Sequence, residues 1–357
     1  MKNIKQHINN LLLNLFYFLF HKKPNKSKIN IANKLKVLII IFEDLKTSLA
    51  LTPLLKVLND SFNCEITVLG NVNNQSVFNN NLLINKYSLY NKNIGIVKTF
   101  LPISKNKIDI IINPHEKQNV DAALFLGLIK AKYKIGFEKE DHQLLTHILP
   151  ILDHNRIHIV DRLLSITEAF NKEFNKSELN IFYQPTKTSE TLIEEYFIKH
   201  DLLHKFTIAV NISNSAELGF WGINNYKNLL KYLKNFNANI IVCASIDDIE
   251  NAEKISDGKT LIYYDTEFDE FAALLKNVNL IFSPDSYIVQ LAAAFKIPVF
   301  CLFVQHKTAE MINVPYNSDF DFAVTDNDNL KNISYGNVLN SFVPYIEYIY
   351  EKYNSAK

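Results

Sequence analysis

Short, continuous apolar runs alternate with amphipathic stretches in two separate series along the chain. The first series contains KVLIIIF (36–42), EITVLG (65–70) and IDIIIN (108–113). The second contains FTIAVNI (206–212), NIIVCA (239–244), TLIYY (260–264), NLIFS (279–283) and IPVFCLF (297–303). Apolar runs without alternation are typical of strands buried on both faces of a parallel sheet. Strands that alternate with helices in this way predict an α/β fold with two doubly wound halves.

The amphipathic stretches predict the helices and the division into domains. Helices are expected at 49–62, 120–130, 223–236, 247–255, 267–277 and 286–295. A chain of 357 residues exceeds the roughly 250–300 residues at which a single core stops growing. We therefore predict two Rossmann-like domains, 31–185 and 186–336, that face each other across a cleft, and a closing helix at 337–357. The polar stretch 184–195, which contains Pro185, is the expected linker.

The N-terminal arm, residues 1–30, differs in composition from the rest of the chain. Residues 1–36 carry eight lysines and no acidic side chain, whereas the remainder holds 30 basic and 37 acidic residues. On a helix, the apolar side chains of 4–19 share one side, which predicts a basic amphipathic helix at an anionic membrane surface. A helix packed on the body and a signal sequence are the alternatives. A basic arm on a mildly acidic body argues against a nucleic-acid partner.

Several other classes of protein lack their usual signatures in this chain. Cys64, Cys243 and Cys301 are too scattered for a disulfide framework or a zinc site, which favours a reducing cytoplasm. No apolar run approaches the ~18–20 residues of a membrane-spanning helix. The chain contains neither GxGxxG nor GxxxxGK[ST], so hydride transfer and P-loop hydrolysis lack their motifs.

Four stretches resemble the family-nine glycosyltransferases, the heptosyltransferases of lipopolysaccharide core assembly. They are KVLIIIFEDLKTSLALTPLLKVL (36–58), KYKIGFEKE followed by HIVDRLLSITEAF (158–170), AVNIS followed by GFWGINNYKNLLKYL (209–233), and NLIFSPDSYIVQLAAAFKIPVFCLF (279–303). The last stretch matches the family signature NDSGxxHLAAAxxxPxxxLFG in register and is the most specific. The resemblance implies the two-domain GT-B fold, with the first domain on the acceptor side and the second domain binding the donor nucleotide.

In this family the signature supplies a helix N-terminus for the donor diphosphate. Asp285 and Ser286 stand where a helix N-cap belongs, so free backbone N–H groups would hold a diphosphate without a metal. An ordinary strand–helix turn with an acidic cap is the alternative. Two family positions differ, because Tyr287 replaces a glycine and Gln290 replaces a histidine. The expected donor-binding residues are Asp285, Ser286, Gln290, Asn211 and Ser213.

The turn after strand 36–42 departs furthest from the family. The family has Gly-Asp there, with the Asp acting as catalytic base, and this chain has Lys46 and Thr47. A threonine hydroxyl cannot abstract a proton at neutral pH. Either Glu43 or Asp44 is therefore the expected catalytic base, or the chain does not catalyse the family's reaction.

The only two arginines of the chain lie within seven residues of each other, at Arg156 and Arg162. Because planar bidentate recognition of phosphate or carboxylate needs arginine, we expect them, with Thr47, to bind the acceptor; pairing between domains or chance is the alternative. His154 and His158, with Asp161 one turn on, have a spacing that could ligate a metal, but a capped helix with an Asp–Arg pair is the favoured interpretation. We predict no metal.

The resemblance implies an inverting, metal-independent glycosyltransferase without a cofactor. Its partners would be a nucleotide-diphosphate sugar, by analogy an ADP-activated heptose, a glycolipid core acceptor and the anionic inner face of the cytoplasmic membrane, where the protein would be peripheral. The alternative is a degenerate family member that binds a nucleotide sugar or a partner transferase without turnover.

Overall fold

Every run predicted to be a strand lies in one of two parallel six-stranded sheets. The computed structural model describes residues 16–30, 34–93, 95–176, 178–214, 219–256, 258, 260–305 and 314–355. The chain divides into two units, residues 1–153 with 159–179 and residues 154–158 with 180–357. The prediction of an α/β fold with two doubly wound halves is confirmed.

The first unit contains a sheet with strand order β3-β2-β1-β4-β5-β6. Its strands are β1 (Leu35–Ile40), β2 (Cys64–Gly70), β3 (Lys86–Leu89), β4 (Ile108–Asn113), β5 (Ala131–Phe137) and β6 (His147–Leu149). Its helices are α1 (Leu45–Ala50), α2 (Thr52–Lys56), α3 (Gln75–Phe78), α4 (Ile96–Ser104), α5 (Val120–Leu128) and α6 (Ile159–Leu164). The direction of winding reverses between β1 and β4, and ligands of such sheets bind beyond the strand ends at that reversal.

The second unit repeats the same topology, because its strand order β12-β11-β10-β7-β8-β9 corresponds to that of the first sheet. Its strands are β7 (Phe206–Asn211), β8 (Ala238–Ser245), β9 (Leu261–Asp265), β10 (Leu280–Pro284), β11 (Val299–Val304) and β12 (Phe320–Thr325). Its helices are α7 (Lys187–Lys199), α8 (Ile223–Leu233), α9 (Ile249–Ser256), α10 (Phe268–Lys276), α11 (Tyr287–Phe295) and α12 (Tyr335–Ser355). Here the winding reverses between β7 and β10.

Each sheet is covered by its own hydrophobic core. In the second unit the core surrounds Trp221, which is fully buried against Tyr226 and Phe282 and donates its indole N–H to the Ile333 carbonyl at 2.8 Å. The three cysteines are buried thiols. Burial raises the pKa of Cys64 to about 12, so this thiol is not a reactive nucleophile.

One local prediction was wrong. The expected linker 184–195 is mostly helix α7, which is capped by the Thr186 side chain and buries Ile193 and Phe197. Its other side chains are polar because they form the exposed face of an amphipathic helix. The stretch 49–62 is helical as predicted, but the helix begins earlier, at Leu45, breaks before α2 and ends in a π-helical turn at Val57–Ser61.

The N-terminal arm is described from residue 16 onward, and most of the predicted amphipathic helix lies outside the described residues. Residues 16–19 are helical. Tyr17 is buried and its hydroxyl accepts a hydrogen bond from Gln118 at 3.0 Å, while Phe18 is 76% exposed. Further along, Ile29 forms a bridge with Phe170. The described part of the arm therefore packs on the first unit.

Candidate functional site

In the first unit, Glu43 and His115 meet where the winding of the sheet reverses. Glu43 follows β1 and His115 follows the neighbouring strand β4, and Glu43 Oε1 lies 2.7 Å from His115 Nδ1. The backbone N–H of Phe42 donates to His115 Nε2 at 3.3 Å. Because Nε2 accepts this bond, Nδ1 carries the proton and donates it to the Glu43 carboxylate.

This contact determines the charge state of Glu43. The hydrogen bond from His115 holds the pKa of the Glu43 carboxyl below its usual value, and burial opposes that shift only in part. The His115 side chain is fully buried, whereas that of Glu43 is 38% exposed. Glu43 is thus an ionised carboxylate at neutral pH, fixed by a buried partner and open to solvent on its other side.

Asp44 and Thr47 occupy the first turn of α1, directly after Glu43. Asp44 is the exposed N-cap of this helix, and its Oδ1 accepts the backbone N–H of Thr47 at 2.8 Å. Such caps typically contribute about 1 kcal/mol to stability. The structure therefore gives Asp44 a structural role at this turn, which Glu43 does not have.

Arg162 binds the loop that carries His115. Its Nε and Nη2 atoms donate to the two carboxylate oxygens of Glu116 at 2.7 and 3.1 Å, and both side chains are nearly buried. This bidentate pair fixes Glu116, the residue that follows His115 in the chain. Arg156 belongs to the segment 154–158, which groups with the second unit, so the two arginines lie in different units. Residues 154–156 form a turn, so His154 does not lie on a helix with His158, as the metal-ligand spacing would require.

The sequence interpretation missed His115 and Glu116. Both lie in the segment NPHE (113–116), directly after the apolar run 108–113. Polar residues after a parallel strand at the winding reversal are the signal that could have identified them.

In the second unit, four of the polar residues at the corresponding position are joined by hydrogen bonds. Asn211, at the end of β7, donates from Nδ2 to the Ser213 carbonyl at 2.8 Å and to Ser283 Oγ at 3.0 Å. Ser283 Oγ lies 3.3 Å from Ser286 Oγ. The structure thus brings together three predicted donor-site residues, Asn211, Ser213 and Ser286.

Ser213 connects this group to the next strand. Its hydroxyl donates to Asp248 Oδ2 at 2.6 Å and accepts the backbone N–H of Ser245 at 2.9 Å. The loops after β7 and β8 are therefore fixed to each other at the carboxyl edge of the sheet.

Helix α11 begins at this group and carries an unpartnered amide. Ser286 is its N-cap, and the hydroxyl of that residue accepts the Ile288 backbone N–H at 3.3 Å. One turn later, Gln290 is fully buried, and neither its Oε1 nor its Nε2 atom has a hydrogen-bond partner among the described residues. A buried amide without partners costs stability, which is a common property of residues retained for ligand binding. Asp285, half-buried, precedes the cap and donates its backbone N–H to the Leu302 carbonyl at 2.9 Å.

Tyr287, which replaces the family's glycine, is bound to neighbouring residues of the same unit. Its hydroxyl donates to Asp265 at the end of β9, and its ring lies 5.5 Å from that of Phe268. Burial raises the pKa of Asp265, and the bond from Tyr287 opposes this shift.

Two kinds of feature are absent from the described residues. Among these residues no helix is both long and apolar enough to cross a membrane. Within the same ranges, no group of three or more His, Cys, Asp or Glu side chains has positions that could hold a metal ion.

Comparison with known proteins decides the family. The sequence model of glycosyltransferase family 9 (heptosyltransferase) matches residues 98–342. The chain belongs to this family. It is 28% identical over 236 residues to the lipopolysaccharide core heptosyltransferase OpsX of Haemophilus influenzae, and the match covers 63% of this chain and 64% of that protein.

Solved structures of the family share the fold. The family 9 glycosyltransferase from Veillonella parvula superposes with a TM-score of 0.78 at 16% identity, covering 91% of this chain and 99% of that one. The ADP-heptose lipopolysaccharide heptosyltransferase II of E. coli gives 0.71 at 15% identity, covering 90% and 100%. The recognised family and the GT-B-like fold are therefore both confirmed.

Proposed function

We propose that this family 9 protein is a glycosyltransferase that moves a sugar from a nucleotide-diphosphate donor onto a lipopolysaccharide or other glycolipid core. The observation that carries the proposal is the family match over residues 98–342. OpsX is named as a lipopolysaccharide core enzyme, and E. coli heptosyltransferase WaaC, with the same fold, was solved with ADP. By this relationship, the donor is ADP-heptose.

We assign the donor nucleotide to the second unit, at the N-terminus of α11. This nine-residue helix presents its first backbone N–H groups beyond the sheet edge, and the helix dipole favours an anion there. Gln290 supplies an amide that has no hydrogen-bond partner among the described residues, while Asn211 and Ser213 fix the neighbouring loop. Asp285 adjoins the cap. In this arrangement the backbone and neutral side chains hold the diphosphate without a metal.

The acceptor side of the reaction is assigned to the first unit. An inverting single displacement needs one base to remove the proton of the acceptor hydroxyl. Glu43 is ionised, partly exposed and oriented by His115, whereas the Asp44 carboxylate is bound to the backbone of Thr47. We therefore favour Glu43 as the base and keep Thr47 as the acceptor-binding candidate of this unit. Of the two arginines expected to bind the acceptor, Arg162 is bound to Glu116 and Arg156 belongs to the second unit.

The arm is proposed to hold the protein at the anionic inner face of the cytoplasmic membrane. Phe18 and Leu19 are largely exposed, and Lys23, Lys26 and Lys28 are exposed as well. Apolar side chains next to lysines suit the headgroup region of an anionic bilayer.

A non-catalytic relative is the second candidate, and two observations favour it. Thr47 occupies the place of the family's catalytic aspartate. In addition, the lowered pKa of Glu43 makes that carboxylate a weaker base than an ordinary glutamate. Such a protein would bind a nucleotide sugar or a partner transferase without turnover.

Nucleotide binding and turnover separate these candidates. ADP at a hundred times its dissociation constant should stabilise the folded protein by about 2.7 kcal/mol. Gln290→Met, which replaces an unpartnered amide with an apolar side chain of similar size, should raise the melting temperature without ADP and weaken ADP binding. Lys276→Met, on the exposed face of α10, is the matched control. Unchanged ADP affinity in Gln290→Met would contradict the donor-site assignment, and ADP binding without sugar transfer would favour the second candidate.

A further inference from the structure

Two asparagine turns lie side by side at the carboxyl edge of the first sheet. Asn71-Val72-Asn73 follows β2 and Asn91-Lys92-Asn93 follows β3, and the ends of these strands are paired. In each turn the backbone N–H of the second asparagine donates to Oδ1 of the first at 2.9 Å. The side chains of the second asparagines are exposed.

Residues of both turns line one cavity of about 370 Å³. Besides the asparagines, Phe42 and Tyr90 line it, and their ring centroids lie 5.2 Å apart. The volume is near the low end of the range of ~300–1,000 Å³ for small-molecule sites, which suits a ligand of one or two rings. Its wall therefore combines aromatic faces with amides, which both donate and accept hydrogen bonds.

The two charged side chains that line the cavity form an ion pair, so their charges offset each other. Lys92 Nζ lies 2.8 Å from Asp121 Oδ2, and these are the charged residues among those that line the cavity. The Tyr90 hydroxyl donates to the other Asp121 oxygen at 3.4 Å. An anionic group bound here would find its nearest cation already paired, and the ionised Glu43 follows directly after Phe42. The electrostatics therefore favour a neutral ligand over a phosphate or a carboxylate.

We propose that this cavity binds a neutral, hydroxyl-rich sugar ring, with the asparagine amides bonding its hydroxyls and Phe42 and Tyr90 contacting its apolar face. The identification of that ring as part of the acceptor rests on the proposed function. Phe42 connects the cavity to the proposed base, because its ring also lies 6.2 Å from that of His115, the partner of Glu43. The acceptor sugar recognised by this chain is then one without phosphate or carboxylate substituents.

Binding can be measured on the nucleotide-free full chain labelled with ¹⁵N-asparagine. Methyl glycosides of glucose, galactose and mannose are titrated in parallel with the 6-phosphates of the same sugars. The side-chain amide signals of Asn73 and Asn93 are assigned from their alanine variants. At least one neutral glycoside should shift these signals more strongly than the 6-phosphate of the same sugar does. Asn73→Ala should weaken that binding by roughly three- to tenfold, as expected for one neutral hydrogen bond. Asn354→Ala, an exposed asparagine on α12, is the control.

Neutralising one charge tests the specificity directly. Asp121→Asn leaves Lys92 without its carboxylate and should tighten binding of the 6-phosphates by about two- to fivefold, the range for an exposed ion pair. Neutral glycosides carry no charge for Lys92 to attract, so their binding should show no such increase. Phe42→Leu should weaken the neutral glycosides while the melting temperature monitors folding.

The outcomes distinguish this proposal from the proposed function. Glycoside binding in the cavity without sugar transfer would overturn the proposed function and support the cavity assignment. A preference of the wild type for the 6-phosphates, or shifts that persist unchanged in Asn73→Ala and Phe42→Leu, would overturn the cavity assignment even if transfer is observed.

Discussion

Glu43→Gln is the substitution that tests most directly whether the first unit is catalytic. Glutamine retains an oxygen that accepts the Nδ1 proton of His115, so the buried histidine keeps its partner and the fold should be preserved. What is lost is the ability to accept a proton from the acceptor hydroxyl. The variant therefore separates a chemical role of Glu43 from a structural one.

The size of the effect follows from the environment of the carboxylate. A positioned general base typically contributes 10²–10⁴-fold to the rate. The hydrogen bond from His115 lowers the pKa of Glu43, which makes it a weaker base. We therefore expect turnover to fall by about 10²-fold, near the low end of that range.

The assay is ADP release from ADP-heptose in the presence of a lipopolysaccharide core acceptor, measured as a function of pH. With its pKa lowered, Glu43 should stay ionised until the pH falls below the ordinary value of about 4.3, so the acid limb of kcat/KM should lie below that value. His115→Phe removes the donor and should move this limb upward. The sign is the same for stability, because the contribution of the pair is present above the unfolded pKa and is lost as the pH falls through the folded pKa.

Asp44→Asn provides the matched control. Asparagine caps a helix as well as aspartate does, so the melting temperature of this variant should be unchanged. Its turnover should stay within about twofold of the wild type. Near-wild-type turnover of Glu43→Gln with an inactive Asp44→Asn would identify Asp44 as the base. If neither variant loses activity, the base is another residue and the argument from His115 is refuted.

Three further outcomes are expected from other parts of the molecule. Burial lowers the pKa of Lys134 to about 8, whereas an unfolded lysine titrates near about 10.4, so between these two pH values the unfolded chain binds more protons than the folded one. The unfolding free energy should therefore rise with pH across this range, and Lys134→Met should abolish the rise in denaturant titrations. Trp221→Phe leaves the Ile333 carbonyl without its donor and should lower the unfolding free energy by about 2–3 kcal/mol. Deleting residues 1–15 should leave the melting temperature unchanged and reduce sedimentation with anionic liposomes; equal sedimentation would contradict the membrane role of the arm.

Most of the strands predicted from the sequence are buried on both faces; the exception is the half-buried edge strand β9, predicted from the apolar run TLIYY. IDIIIN and NLIFS are continuous apolar runs because helices cover both sides of their sheet. The edge strand β3 (KYSL) and strand β5 (AKYKIGF) carry lysines and were not predicted. In β5 the exception has a physical cause, since Lys134 is buried but donates to the carbonyl oxygens of Leu126 and Gly127 at the end of α5.

The polar residues that the structure brings together were predicted more completely in the second unit than in the first. Ser286 lies in the signature matched in register, Asn211 and Ser213 lie in the stretch AVNIS (209–213), and hydrogen bonds link the three through Ser283. In the first unit the contact that fixes Glu43 is with His115, which lies 72 residues further along the chain. No local pattern links two such positions, because their proximity comes from the pairing of β1 with β4.

If Glu43 is the base, as proposed, topology explains how the carboxylate can change its place in the sequence and stay at the same edge of the sheet. Thr47 lies in the first turn of α1, whereas Glu43 precedes the N-cap of that helix, yet both follow β1 at the same edge of the sheet. A carboxylate before the cap lies outside the helix, so it needs a partner to fix its side chain. His115 provides that support, and the nearly buried Arg162–Glu116 pair holds the loop on which His115 lies. The two contacts form one connected arrangement beside Glu43, and this is the orientation that the proposed base would need.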